Sequence, residues 1–228
     1  MQKLGKFELE TAEDHISRVK LKYPCITEPN CNYLREDEVI QFQELVKSKK
    51  SEREIDNHLR VASDLLTAFL HIYRTGHHRM KAIPQANICN TIQGYVKGKI
   101  PDWLLCGDSS DGESWYFIEL KGPADKIFVN KDRLCFSNEC NKGINQLISY
   151  LDFADKHQTA FRDMYKMPGF RNPKGVLVIG SREDLSEEMI EQKRSWNYFL
   201  NGKIEIRTWD AILDAVIEKW NYVKPRMC

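Results

Sequence analysis

The chain has 228 residues, of which 42% are hydrophobic and 11% aromatic, enough for one large domain that buries a core. Its 34 Lys and Arg against 33 Asp and Glu leave a net charge of +1, so the whole-chain field neither announces nor excludes a nucleic-acid partner, and any basic surface has to be a local patch. No run of about 18 apolar residues is present, and the first residues, Met1-Gln-Lys-Leu-Gly-Lys-Phe-Glu, lack the apolar core of a signal peptide. A cytoplasmic protein with no membrane partner is the expectation.

Residues 1–34 carry loop chemistry around Pro24, Pro29 and Asn30-Cys-Asn, with a short helix possible after Thr11. Val39, Phe42, Leu45 and Val46 have helical spacing over 35–48. Residues 1–50 read as an accessory segment without recognisable chemistry. Ser51 caps the next helix, with Glu52 and Glu54 in the first turn where the helix dipole favours negative charge. Ile55, Leu59, Ala62, Leu66 and Phe69 predict that this helix runs unbroken to about Tyr73, and the spacing puts Glu52 on its apolar stripe. A first strand is expected over 80–88, at an edge or bulge because of Pro84; His77 and His78 before it read as a solvated turn.

The next stretch, Ile100 to Lys121, organises the chain. Two apolar runs flank the turn-rich Gly107 to Gly112, as in a β-hairpin. In the second run Tyr116, Ile118 and Leu120 share one face, while Trp115, Phe117, Glu119 and Lys121 share the other. Asp102 opens the partner strand, so the hairpin would bring its carboxylate close to that of Glu119. Two convergent carboxylates beside a lysine suit a hard divalent cation and an anionic substrate. Standing alone, a Glu-x-Lys tripeptide is more often a solvated strand end.

Beyond the hairpin, 126–136 reads as a small β-excursion and Glu139 to Phe153 as a second helix with Ile144, Leu147, Ile148 and Leu151 in its stripe and Gln146 and Tyr150 one turn apart beside it. Gly143 costs such a helix about 1 kcal/mol relative to alanine, which close packing on the sheet would offset. A connecting loop with a short helix follows over 157–173. Val176 to Ile179 is a buried strand, a charged helix runs to about Leu200, Lys203 to Arg207 is a last strand, and Trp209 to Trp220 a last helix. Gly180-Ser181 falls short of a nucleotide-binding fingerprint. The seven cysteines are odd in number, irregularly spaced and without a Cys-x-x-Cys pair; reduced thiols, several buried, are expected rather than a zinc site built on Cys135 and Cys140 or on Cys25, Cys31 and His15.

With Pro101-Asp102 followed, after sixteen residues, by Glu119-Leu120-Lys121, the chain resembles the PD-(D/E)XK nuclease superfamily. Within it, the chain is most similar to the Shedu anti-phage defence nucleases. The likeness covers about residues 50–180 through Glu52-x-x-Ile55 with Leu59, Pro-Asp-Trp-Leu-Leu, Phe-Ile-Glu-Leu-Lys-Gly-Pro and Gln146-Leu-x-x-Tyr150. Where Shedu proteins often continue the first motif into Asn-Pro, this chain has Ala62-Ser63-Asp64.

The resemblance implies an α/β fold of restriction-endonuclease type, an αβββαβ mixed sheet flanked by helices. The nuclease domain would span 51–228, with its core at about 51–180 and an α/β extension over 181–228. It implies a Mg²⁺ (or Mn²⁺) ion held by Asp102, Glu119 and the Leu120 carbonyl, with Lys121, Gln146 and Glu52 completing the catalytic set, and phosphodiester hydrolysis in DNA as the reaction. Lys97, Lys99, Lys126, Lys131, Arg133 and Lys142 are candidates for a DNA-phosphate patch, each alone being an ordinary surface cation. Trp115 and Tyr150 are candidates for stacking on a base, with core packing the default for both. A homo-oligomer is expected. The competing readings are a catalytically silent DNA-binding or assembly module that keeps the nuclease fold, and a small regulatory protein that oligomerises through its last helices.

Overall fold

The structure, a computed structural model, describes residues 27–71, 79–86, 100–130, 133–163, 167 and 169–224. Helices α1 (Glu36–Lys47), α2 (Glu52–Val61) and α3 (Thr67–His71) precede the strands β1 (Arg79–Pro84), β2 (Trp103–Ser109) and β3 (Gly112–Leu120). The short strands β4 (Phe128–Asn130) and β5 (Leu134–Phe136) form a separate two-stranded sheet. Helices α4 (Asn138–Lys156) and α5 (Gln158–Asp163), strand β6 (Lys174–Val178), helix α6 (Glu187–Phe199), strand β7 (Ile204–Arg207) and helix α7 (Trp209–Val223) complete the chain.

The main sheet has the order β1-β2-β3-β6-β7, antiparallel among the first three strands and parallel from β3 to β7. Helices cover both faces, so the expected mixed sheet flanked by helices is present. On one face Tyr116, Ile118 and Leu120 of β3 and Val176 and Val178 of β6 pack with α1, α2, α3 and α7 through Phe42, Ile55, Leu59, Phe69, Trp209 and Val216. On the other, Trp115, Phe117 and Leu177 pack with α4 and β7 through Leu147, Tyr150, Ala154, Ile204 and Ile206. The period-two alternation of β3 is what feeds both cores. Because α1 contributes Val39, Phe42 and Val46 to the first core, that part of residues 1–50 packs as an integral layer.

Three local expectations need correction. The helix after Ser51 does not run unbroken to Tyr73: it stops at Val61, passes through a 3-10 turn at Ser63–Leu66 and resumes as α3. Ser63-Asp64 explains the break, since the Asp64 carboxylate accepts the Asn30 N–H at 2.8 Å and the Thr67 hydroxyl donates to the Asp64 carbonyl at 2.7 Å. Such side-chain bonds compete with the helical ladder. The hairpin is also tighter than Gly107 to Gly112. Gly107 pairs with Ser114 inside the ladder, and Ser109 pairs with Gly112, whose φ of +93° only glycine adopts freely. Ile148, expected in the apolar stripe of α4, is 48% exposed.

Other expectations hold. β1 is an edge strand closed by Pro84, and Thr27 bridges its outer side through two backbone bonds with Ala82. A β-carbon at Gly143 would meet Leu177 Cδ1 at 2.5 Å, the close helix-to-sheet packing that offsets a glycine in α4. Cys31, Cys106, Cys135 and Cys140 are all free thiols, two of them buried. His77, His78, His15, Cys25, Cys89 and Cys228 lie outside the described residues. Among the described residues, no helix is long and apolar enough to cross a membrane.

Candidate active site

The hairpin register sets the site. Trp103 pairs with Ile118, so Asp102, one residue before β2, arrives beside Glu119 at the end of β3. Asp102 Oδ2 accepts the Leu120 N–H at 2.7 Å, which ties its carboxylate to the strand that carries Glu119 and Lys121. Glu119 and Lys121 project together, as their alternation requires, and the Lys121 ammonium donates to Glu119 Oε1 at 2.9 Å. Both are buried, at 3% and 5% exposure, a strong departure from the usual solvated acid and base.

The backbone of Lys121 is held from two sides. Its N–H donates to Val178 O at 2.8 Å, and its carbonyl accepts the Trp209 indole N–H at 2.6 Å. The chain then turns at Gly122, whose N–H donates to Asp125 Oδ2 at 2.7 Å. Gly180, with φ +70°, seats against this turn: its N–H donates to Gly122 O at 3.1 Å, and a β-carbon there would lie 2.7 Å from Asp125 O. Helix α2 abuts the same turn, with Glu52 N 3.8 Å from where a Gly122 β-carbon would stand. A capping box explains that abrupt helix start, because Ser51 Oγ accepts the Glu54 N–H while the Glu54 carboxylate accepts the Ser51 N–H at 3.0 Å.

Helix α4 supplies the remaining groups. Tyr150 Oη lies 3.2 Å from Glu119 Oε2 and 3.1 Å from Ile100 O, so its one proton serves one of these acceptors at a time. Gln146, one turn earlier, hydrogen-bonds the same hydroxyl, yet its Oε1 is buried without a hydrogen-bond partner. An orphaned buried acceptor costs about 1–3 kcal/mol, and none of the described residues supplies a donor to this one.

Electrostatics describes one strained cluster. Burial, then the nearby Asp102 carboxylate, pushes Glu119 up to about 7 despite the opposing Lys121. Asp102 is raised by burial too, against the Leu120 N–H and Lys121. Glu52 is raised by burial and by Asp102, Asp125 and Asp56, with Lys121 opposing. Burial works to lower Lys121, but Glu119, Glu52 and Asp102 outweigh it and leave the ammonium above its ordinary value. Tyr150 is raised by burial and by Glu119. Lys121 is the cation that acts on all three carboxylates, with Arg60 assisting at Asp102, and the site is short of positive charge.

Asp102, Glu119, Leu120, Lys121, Gln146 and Glu52 thus come together around the ends of β2 and β3. Lys126 is exposed just beyond the Gly122–Asp125 turn, and Lys142 is exposed one turn before Gln146 on α4, with Glu139 3.7 Å from its ammonium. Arg133 is exposed before β5. Lys97, Lys99 and Lys131 lie outside the described residues. Trp115 takes the core role, at 2% exposure against Phe170, and its indole donates to Glu113 Oε2 at 3.3 Å.

Two contributors hold roles the sequence pattern did not give them, Tyr150 being a base-stacking candidate there but buried against Phe117 here. Tyr150 had a signal, its one-turn spacing from Gln146; Trp209, 88 residues from the carbonyl it holds, had none.

A family model described as Shedu protein SduA, C-terminal, matches residues 49–213, most of the chain and every residue of this cluster. The chain belongs to this Shedu family. No curated protein matches it. Solved structures similar to it include two of FokI. Restriction endonuclease FokI bound to DNA aligns at 12% identity and a TM-score of 0.41 over 93% of this chain and 30% of that one; FokI alone aligns at 12% and 0.40 over 98% and 33%. This Shedu chain therefore spans about a third of the FokI chains it matches.

Among the described residues, no three His, Cys, Asp or Glu side chains are grouped to hold a metal by themselves. The Shedu cluster nevertheless fits a hard cation in its chemistry. It offers two carboxylates and a main-chain carbonyl, all oxygen donors; both carboxylates are destabilised by burial and Glu119 by Asp102 as well, and an unsatisfied acceptor stands beside them.

Proposed function

We propose that this Shedu chain is a divalent-metal-dependent DNA endonuclease that hydrolyses phosphodiester bonds in anti-phage defence. The observation that carries the reading is the buried Glu119–Lys121 pair set beside Asp102, a cluster with more negative charge than its one ammonium neutralises. A packed core would not retain such a cluster for stability, since burying these charges costs more than a well-packed apolar equivalent.

Asp102, Glu119 and the Leu120 carbonyl would hold Mg²⁺ or Mn²⁺. The chemistry such an ion supplies is Lewis-acid polarisation of the phosphoryl oxygens and a more acidic bound water. Lys121, which holds Glu119 Oε1, would orient the attacking water and offset charge developing on the phosphate. Gln146 Oε1, a buried acceptor without a partner, would accept a hydrogen bond from that water. Tyr150 keeps Glu119 facing the site, and Glu52 approaches from the start of α2. Lys126, Arg133 and Lys142 contact DNA phosphates, joined by Lys97, Lys99 and Lys131. We assign the enzyme to the cytoplasm, with residues 1–50 as an accessory segment whose helix α1 packs into the core of the 51–228 nuclease domain, and a homo-oligomeric assembly.

The test is incubation of linear and supercoiled DNA with the chain in Mg²⁺, Mn²⁺ or EDTA. Cleavage in either metal and none in EDTA is expected. DNA binding without cleavage in any divalent ion would replace the reading with a silent DNA-binding module.

A further inference from the structure

Helix α6 presents a face that the nuclease site does not use. Tyr198 and Phe199 are 83% and 77% exposed, and Trp196 is 37% exposed with Phe136 4.8 Å from its ring centre on one side. Gln192, Ser195, Trp196 and Phe199, at helical spacing along one line, bound a hollow of about 490 Å³, within the range of small-ligand sites. Contiguous exposed aromatics of this kind mark recognition surfaces.

The charge around them selects the partner. From Gln192 to Lys203 the chain carries Lys193, Arg194 and Lys203 and no acidic residue. Arg194 is one turn from Tyr198 and, among the described residues, pairs with the exposed Glu191, a surface pair of little net worth. Lys193 is held below its ordinary value by burial and then by Arg207, with Arg182 and Arg194 adding to the effect against Glu205. The acidic residues of α6, Glu187, Glu188 and Glu191, stand in its amino-terminal half, so its carboxyl-terminal half and the turn after it carry the basic residues. An apolar protein partner would bury those cations at a cost, whereas an anionic chain with flat rings satisfies both features.

The fold places this face in line with the carboxylate cluster. Glu119 is paired with Leu177 and Leu177 with Ile206, and Asn197 of α6 brackets Ile206, donating to its carbonyl at 3.2 Å and accepting its N–H at 2.9 Å. The carboxyl-terminal half of α6 thus sits at the height of Glu119, beyond an edge strand two spacings, or about 10 Å, from β3.

We propose that the carboxyl-terminal half of α6 and the turn after it form a stacking platform for single-stranded DNA, with Trp196, Tyr198 and Phe199 offering ring faces and Lys193, Arg194 and Lys203 meeting phosphates. The proposal rests on reading the chain as a DNA endonuclease. Single strands are specified because a duplex keeps its base faces covered, while unpaired bases stack on exposed aromatics without sequence preference.

The experiment is fluorescence anisotropy of a labelled oligothymidylate and of a duplex of the same length, titrated with the full chain in EDTA, for the wild type, Tyr198→Ser/Phe199→Ser and Phe199→Leu. The wild type is expected to bind the single strand more tightly than the duplex, with affinity falling as salt rises. The double variant should lose roughly tenfold or more, and Phe199→Leu, which keeps apolar surface but no ring, should also weaken. Equal affinity in all three proteins, or no single-strand binding by the wild type, overturns the platform. So does a double variant that sediments as a smaller species while binding the oligonucleotide normally, because the face is then a contact between copies of the chain. Plasmid cleavage in Mg²⁺, run in parallel, separates the two ideas. Cleavage without single-strand binding removes the platform alone, and α6-dependent binding without cleavage removes the nuclease reading alone.

Discussion

Replacing Trp209 by phenylalanine tests how the fold holds the Glu-x-Lys segment. The indole N–H is 2.6 Å from the Lys121 carbonyl in a fully buried position, and Phe42 and Phe69 pack on the same ring. Trp209→Phe keeps an aromatic ring there but removes the donor. The stranded buried carbonyl costs about 1–3 kcal/mol. The smaller ring loses packing worth about 1 kcal/mol more, a fraction of the cost of truncating a buried tryptophan fully. The sum is about 2–4 kcal/mol, and for a domain of this size each kcal/mol lowers Tm by about 2–4 °C. Thermal unfolding followed by circular dichroism should show a fall of roughly 5–15 °C. Trp220→Phe on the same helix serves as the comparison, since that ring is only partly buried against the core. Its expected loss is under about 1 kcal/mol. Equal, small shifts for both variants would refute the view that the indole-to-carbonyl bond anchors Lys121.

Three further perturbations have definite outcomes. Gly180→Ala places a β-carbon at positive φ and 2.7 Å from the Asp125 carbonyl, so urea unfolding should show a loss of about 2–4 kcal/mol; an unchanged midpoint contradicts the packing described. Tyr150→Phe removes the hydroxyl beside Glu119 Oε2 and should lower metal-dependent cleavage by roughly 10–100-fold at a stability loss of about 1–3 kcal/mol, whereas wild-type rates would mean that the hydroxyl does not position the carboxylate. Burial pushes the Cys106 and Cys140 thiols up to about 12 from an ordinary value of 9.0. Because the folded values are raised, their contribution is fully present below pH 9.0 and is lost as pH climbs towards about 12, at up to about 1.4 kcal/mol per pH unit for each thiol. Urea midpoints should fall across that window, and less steeply in Cys140→Ala; identical slopes would contradict the assignment.

How far the sequence carries the fold depends on whether the relevant physics is local. Period two over Trp115 to Lys121 put Glu119 and Lys121 on one face, and the structure keeps them there with a direct ion pair. Asp102 arrives beside Glu119 through antiparallel register, which a short hairpin determines on its own. The apolar spacing of 51–73 was misleading because Asp64 and Thr67 satisfy backbone groups from outside the helix, a competition that hydrophobic periodicity does not register. Ile148 fitted a helical stripe by spacing, but it is 48% exposed and stands outside the core cluster that α4 joins among the described residues. Glu52 fell on the apolar stripe by count and is half-buried at the helix start, where the Lys121–Gly122 turn meets it. Trp209 and Gly180 were invisible because their partners come from the other end of the domain, through parallel pairing of β6 and β7 with β3.

The most direct test of the proposed catalytic cluster is the rate of plasmid cleavage in Mg²⁺ by Lys121→Met beside the wild type, with thermal unfolding of both as control. Methionine keeps much of the volume of the buried side chain but removes its charge. The cluster described here predicts a folded variant whose cleavage falls by roughly 10²-fold or more, as when a general acid–base group or a transition-state donor is removed. A folded Lys121→Met that cuts at the wild-type rate would contradict it.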